Sequence, residues 1–167
     1  EGSGDPAPEP VLVSVADVAV SEGNSGSKTV TFTETLSAAI TQTVTVSYST
    51  ANGSAAAPGD FNAVTGGTLT FAPGDTSEPI LVQTNDDTFD EATETFTVTL
   101  VSESAAISDG IGVGTIVDND PEPTLSIGDA SVNESEAGLV DAELRVTLSE
   151  ASGRTVTVNY DTSAFTA

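Results

Sequence analysis

The sequence contains no cysteine, histidine, methionine or tryptophan. Without cysteine there is no disulfide, no thiolate nucleophile and no Cys-based zinc site. Without histidine the commonest general base and the commonest transition-metal ligand are missing. Bases are nearly missing too: 3 Lys and Arg stand against 26 Asp and Glu, for a net charge of −23. That balance excludes nucleic acid as a partner and excludes simple adsorption to anionic lipid. No apolar run approaches the ~18 residues of a membrane span. No signal peptide is recognisable and the first residue is Glu1, so the expectation is a chain processed, or cut, from something larger. Only 6 Phe and 2 Tyr are present, few for a sugar-binding cleft, and most fall at core spacing.

What remains is rich in Thr, Val, Ser, Ala and Gly, a composition that favours strands and turns over helices. Residues 1–10, with Pro6, Pro8 and Pro10 among glycines, read as an extended linker or tail, since alternate prolines block both helix and ladder. Seven segments then read as strands: 11–20 (broken near Ala16-Asp17), 29–36, 43–50, 68–71, 79–84, 95–100 and 110–117. Turn signals such as Asn52-Gly53, Pro58-Gly59-Asp60 and Pro73-Gly74-Asp75 separate them. In the second segment Val30, Phe32 and Leu36 share one side; in the third Val44, Val46 and Tyr48 do. The spacing predicts an all-β sandwich of about 100 residues.

The chemistry concentrates in one connection, residues 85–96, N-D-D-T-F-D-E-A-T-E-T-F. Five of these twelve residues are carboxylates: Asp86, Asp87, Asp90, Glu91 and Glu94. No Lys or Arg occurs between Lys28 and Arg145. Like charges this close oppose folding unless something positive sits among them. The expectation is a cation from outside the chain. Ca²⁺, which takes ~6–8 oxygens from carboxylates and carbonyls, suits the donor set; a solvated acidic loop is the alternative. Asp118-Asn119-Asp120 lacks the following Gly and distant Glu of an EF-hand loop. Paired carboxylates can hydrolyse glycosides, but with no His, no Cys and no nucleophile elbow the reading is not an enzyme, and no catalytic residue is assigned.

The sequence also repeats. Val13-Ser14-Val15-Ala16-Asp17 returns as Leu125-Ser126-Ile127-Gly128-Asp129, Glu22 as Glu134, Leu36-Ser37 as Leu148-Ser149, and residues 43–48 as 155–160, TVTVSY against TVTVNY. The offset is constant at 112 residues, as in 134 − 22 and 160 − 48. The second copy, 124–167, holds only the first three of seven strand segments, and three strands cannot bury an inner face alone. Val156, Val158 and Tyr160 then form an uncovered assembly face. Another molecule supplies the rest, or the chain is a fragment of a longer array.

Six short motifs in order carry a family resemblance. They are Val20-Ser21-Glu22-Gly23; Tyr48-Ser49-Thr50-Ala51-Asn52-Gly53-Ser54-Ala55; Gly59-Asp60-Phe61; Gly67-Thr68-Leu69-Thr70-Phe71-Ala72-Pro73-Gly74-Asp75; Asp86-Asp87…Glu91…Glu94-Thr95-Phe96; and Gly114-Thr115-Ile116-Val117-Asp118-Asn119-Asp120. The chain resembles the Calx-β domain, in tandem, as in bacterial-type extracellular surface proteins. The resemblance implies an immunoglobulin-like antiparallel sandwich of seven strands over 11–120, a linker at 121–123 and an incomplete second repeat over 124–167. It implies Ca²⁺ at one end of the sandwich, held by Glu22, Asn52, Asp86, Asp87, Glu91, Glu94, Asp118 and Asp120. Asn52 stands where strong binders carry Asp, and Asn119 lies between the two aspartates of the exit triplet; Asn brings no charge, which implies fewer or weaker ions. Asp60 reads as ordering its own loop. The implied role is a calcium-stiffened structural or adhesion module, extracellular or at the cell surface. Its implied partners are neighbouring copies, adjacent repeats or a surface receptor. The alternative is a filament subunit whose second copy is completed by a neighbouring chain.

Overall fold

A computed structural model of the chain describes residues 9–164; the first eight residues, which hold most of the expected linker, lie outside them, as does Phe165. The described residues are all-β, and no helix long and apolar enough to cross a membrane occurs among them. The chain forms two units. The first takes in Glu1–Thr88 and Thr93–Asn119; the second takes in Phe89–Ala92 and Asp120–Ala167.

The first unit is a sandwich of two sheets. One has the order β6-β3-β1-β8, from Ser77–Asp86, Gly26–Leu36, Leu12–Val15 and Ala106–Asp109. The other has the order β2-β9-β7-β4-β5, from Val18–Ser21, Ile111–Val117, Glu94–Ser102, Val44–Asn52 and Gly67–Phe71. The first expected segment breaks at Ala16-Asp17, and its halves join different sheets. The strand β8 was not anticipated. All four of its residues are exposed, so burial imposes no alternation on them. Two pairings are parallel, β1 with β8 and β2 with β9; the remaining ladders of the unit are antiparallel.

Alternation decides which side chains turn inward. Val13, Val15, Val30, Phe32, Leu36, Ile80 and Val82 come from the first sheet; Val44, Val46, Phe71, Phe96, Val98, Leu100 and Ile116 come from the second, and all are buried. Phe96 is the hub, edge-on to Phe32 at 5.8 Å and stacked on Phe61 at 4.5 Å. The rings fit because β9 presents glycine beneath them. A Cβ on Gly114 would lie 2.5 Å from Phe96 Cζ and 2.9 Å from Phe32 Cζ.

The second unit holds one antiparallel pair, β10 (Leu125–Ile127) with β11 (Val146–Leu148). The third expected strand of this copy, residues 155–160, is not a strand. An extended segment with no neighbour to complete a ladder gains nothing from strand geometry. The alternate apolar residues stay in water: Leu125, Ile127, Val146, Leu148, Val156 and Val158 are exposed, and Tyr160 is 87% exposed. Five of them, Leu125, Ile127, Val146, Val158 and Tyr160, line an open groove of about 230 Å³.

Overpacking a well-filled core costs about 1–3 kcal/mol. Gly114→Ala should therefore lower the urea stability of the first unit by that amount, because neither ring can retreat. An unchanged unfolding midpoint would show that the glycine is not needed for the fit.

Candidate metal centre

Acidic side chains gather at one end of the first sandwich because six strand termini meet there. β2 ends at Ser21, paired with Val117 at the end of β9. The next amide, Glu22 N, donates to Val117 O at 2.8 Å, which sets Glu22 beside the exit residue Asp118. β3 begins at Gly26 opposite Asp86, the last residue of β6. β7 begins at Glu94 opposite Ile116, and Asn52 at the end of β4 pairs with Phe96. Register thus brings Glu22, Asn52, Asp86, Asp87, Glu94 and Asp118 to the same end.

Two close carboxylate pairs form within this unit. Glu22 and Asp87 offer oxygens within 4.8 Å of each other, and so do Asp60 and Glu94. Two unit charges at that distance repel by roughly 1 kcal/mol in bulk water and by roughly 3–4 kcal/mol at an effective dielectric of about 20. Glu22 is only 7% exposed, so water screens its pair poorly. Asp86 adds a buried Oδ1 that has no hydrogen-bond partner, and a buried carboxylate oxygen is costly without one. Its other oxygen packs against Gly23, where any Cβ would run into it.

Asn52 and Asp60 also serve the loop between β4 and β5. Asn52 Oδ1 accepts from Ala57 N at 3.1 Å, and Asp60 Oδ2 accepts from Ala56 N at 2.6 Å. Asp60 thus orders its own loop and also faces Glu94. The second role was not anticipated, although the Gly59-Asp60-Phe61 motif carried the signal: buried Phe61 bridges to Thr84 on β6 and draws its neighbour to the acidic end.

Nor is this end without a base. Lys28 Nζ donates to Ser21 O at 2.8 Å, and Lys28 Cε lies 3.1 Å from where a Gly23 Cβ would be. Lys28 is distant from Asp86 in sequence, but the β3–β6 ladder pairs it with Thr84, two residues away. The expectation of no positive charge nearby is corrected on this point. One lysine still faces several carboxylates.

Glu91 and Asp120 fall within the second unit's segments. There Asp90 is buried, with its Oδ2 accepting from Ser152 Oγ at 3.0 Å and its Oδ1 3.6 Å from Arg154 Nη2. Arg154 also donates to Glu91 O, and Gly153 N donates to Asp90 O at 3.1 Å. Asp90 therefore has a base, Arg154, that the distance in sequence had concealed. The Glu91 carboxylate lies over Gly153, which has no room for a Cβ.

The donor set is oxygen alone, carboxylates with the Asn52 amide carbonyl at the same end, as hard divalent cations require. The Calx-beta domain model matches residues 7–120 and again 118–167. The chain belongs to the Calx-β family. The solved structures agree on the fold. The apo form of the Calx CBD1 domain is 25% identical, with a TM-score of 0.60 over 67% of this chain and 100% of that one. Two structures of the tandem CBD12, from CALX1.2 and CALX1.1, are each 23% identical, with TM-scores of 0.60 and 0.59. The latter is described as a calcium binding domain. They cover 76% and 75% of this chain, which spans 53% of the length of each. Among curated proteins none matches the chain.

The packing of Gly23 on Asp86 generates a prediction. In Gly23→Ala the Cβ displaces a flexible carboxylate rather than backbone. The thermal midpoint in chelator should stay within a few degrees of the wild type, while calcium affinity measured by calorimetry should fall roughly tenfold, the equivalent of 1.4 kcal/mol. Unchanged affinity would place Asp86 outside the coordination shell.

Proposed function

We propose that the chain is a calcium-binding structural module of a secreted or cell-surface protein. In this reading residues 11–120 form a complete Calx-β domain, 121–123 a linker and 124–167 the start of a second repeat. Ca²⁺ is held by Glu22, Asp86 and Asp87, with Glu91, Glu94, Asp118 and Asp120 as further carboxylates, Asp60 added to them, and Asn52 supplying an oxygen without charge. The observation that carries the reading is the pairing of buried Glu22 with Asp87 beside the buried, unpartnered Oδ1 of Asp86. A cation bound there would set positive charge against all three carboxylates at once. Glu91 is assigned because it stands four residues after Asp87 and three before Glu94, within a short chain's reach of both.

When bound, the ion supplies positive charge and ties the loop after β2, the β6–β7 connection and the exit from β9 into one rigid end. An array of such domains would form a calcium-stiffened stalk. Millimolar extracellular Ca²⁺ saturates even weak sites of this kind. The acidic composition keeps nucleic acid and anionic membrane away and leaves adjacent repeats, copies of the chain or a surface receptor as partners. Binding and mechanical support, rather than catalysis, is the role proposed.

Calcium that binds only the folded state stabilises it by about 2.7 kcal/mol at a hundred times Kd. Millimolar Ca²⁺ should raise the thermal midpoint above its value in chelator, and Mg²⁺ should do less, because it gives up its water reluctantly. Asp87→Ala and Glu91→Ala should remove the response with strand content intact. Asp75→Ala loses the bond from Ala72 N to Asp75 Oδ2 (2.8 Å), so it should lower the midpoint yet keep the response. Equal responses in all three variants would reduce the acidic end to a solvated surface.

The exposed apolar face of the second unit favours a second reading, a filament subunit completed by a neighbouring chain through strand addition. Sedimentation of the 167-residue chain should then show concentration-dependent association that Val158→Lys with Tyr160→Lys abolishes. A monomer at all concentrations would remove this reading and leave the calcium module standing.

A further inference from the structure

Glu34 occupies a place in the core where a hydrophobic side chain belongs. On β3 it continues the inward series Val30, Phe32, Glu34, Leu36, and it is 0% exposed. Both of its carboxyl oxygens are buried without a hydrogen-bond partner. The repeat supplies an internal control. At the constant offset of 112 its counterpart is Val146, and the two pairings match: Val15 with Glu34 in one copy, Ile127 with Val146 in the other. The strand pair therefore forms without an acid at this position.

Among the described residues no base neutralises Glu34. Of the strands paired with β3, β1 carries no ionisable residue, and β6 carries Glu78 directly opposite Glu34 and Asp86 at the far end. Across the sandwich β2, β5 and β9 carry none, β4 carries Tyr48, and Glu94 of β7 lies at the acidic end. Asp109 on β8 pairs with Ser14 on the other side of β1. Asp75 sits in the turn before β6, its carboxylate held by Ala72 N. Lys28 is six residues along the same strand, roughly 20 Å away.

We propose that Glu34 is a proton-binding site inside the first unit, whose occupancy sets the stability of the β3–β6 edge. Burial, and then the charge of Glu78, raise its pKa from the ordinary 4.5 to about 7. The proton is thus held more tightly in the folded chain than in the unfolded one. Below pH 4.5 both states are protonated and stability is complete. As pH rises from there the unfolded chain releases its proton first, so stability falls until the folded group also ionises near 7, and is level beyond. The unfolding constant gains up to tenfold per pH unit across the window, about 300-fold in all. Ionised Glu34 faces Glu78 across the outermost ladder of its sheet, so the strain falls on that edge.

The test is urea unfolding of the 167-residue chain at pH 5 and pH 8, in chelator so that the metal reading plays no part. The wild-type unfolding constant should rise roughly 100-fold more between the two than that of Glu34→Gln or Glu34→Val. Glu34→Val should be the more stable protein at pH 8, and Glu78→Gln should shrink the wild-type slope without removing it. Glu103→Gln, at an exposed turn of the same unit, controls for the general repulsion of an acidic chain and should change the slope little. Side-chain ¹³C titration of the wild type reads the group directly, even if both Glu34 variants fail to fold. A glutamate midpoint near 7 that is absent from folded Glu34 variants supports the proposal. A wild-type slope in both variants, an equal effect of Glu103→Gln, or no glutamate midpoint above 5 would overturn it.

Discussion

The acidic end depends on a change of sheet by the first strand. At Ala16-Asp17 the chain leaves one layer of the sandwich for the other, and each side of the step is held by a hydrogen bond. Ala16 N donates to Thr33 O at 3.1 Å in the first sheet, and Asp17 Oδ1 accepts from Val113 N at 2.7 Å in the second. A charge-assisted bond of that length is among the stronger ones a side chain makes to backbone. Because of the step, β2 runs parallel to β9. Because of that pairing, the residue after β2 meets the residue after β9, and Glu22 stands beside the exit from the last strand. An unbroken first strand would have kept Glu22 in the other sheet, away from β9.

Core and acidic end are coupled through one ladder. β3 and β6 pair over ten residues, from Thr35 with Ser77 to Gly26 with Asp86. Its middle is anchored by Val30, Phe32, Ile80 and Val82, all buried. Its ends carry charge: Asp86 at one, Glu34 and Glu78 near the other. Apolar burial in the middle must hold together a ladder strained electrostatically toward both ends. At the Asp86 end Lys28 lies near, and on the proposed function a cation relieves the strain. At the Glu34 end it is relieved by a proton.

Much of this was legible in the sequence. Alternation marked the strand segments, and Ala16-Asp17, with its charged aspartate, marked the break in the first. Other features were hidden for definite reasons. Ala106–Asp109 has no buried side chain, so no pattern marked it as a strand. Parallel pairing leaves no local trace, because the partners β2 and β9 are distant in sequence. Lys28 and Arg154 looked remote from the acids they approach because antiparallel register and a β-bridge, rather than sequence distance, bring them near. Glu34 went unnoticed because the flanking Val30, Phe32 and Leu36 already accounted for the strand. The acid among them reads as a polar gap until burial is known.

The repeat shows how far local sequence determines structure. In the first copy Ser37 N donates to Leu12 O, and Ser14 Oγ meets Thr35 Oγ1 at 2.9 Å. In the second, Ser149 N donates to Thr124 O, and Ser126 Oγ meets Thr147 Oγ1 at 2.8 Å. The register is the same to the residue. The first pair is buried under a second sheet, whereas the second pair is exposed. Register here therefore does not need the sandwich to be closed; cross-strand hydroxyl pairs and capping serines suffice. Strand formation farther along does need closure. Residues 43–48, as TVTVSY, lead into β4, while residues 155–160, as TVTVNY, remain without strand. Nearly the same six residues take different structure according to whether a neighbouring strand and an opposing face are present, so in this fold the corner is local and the rest of the sheet is tertiary.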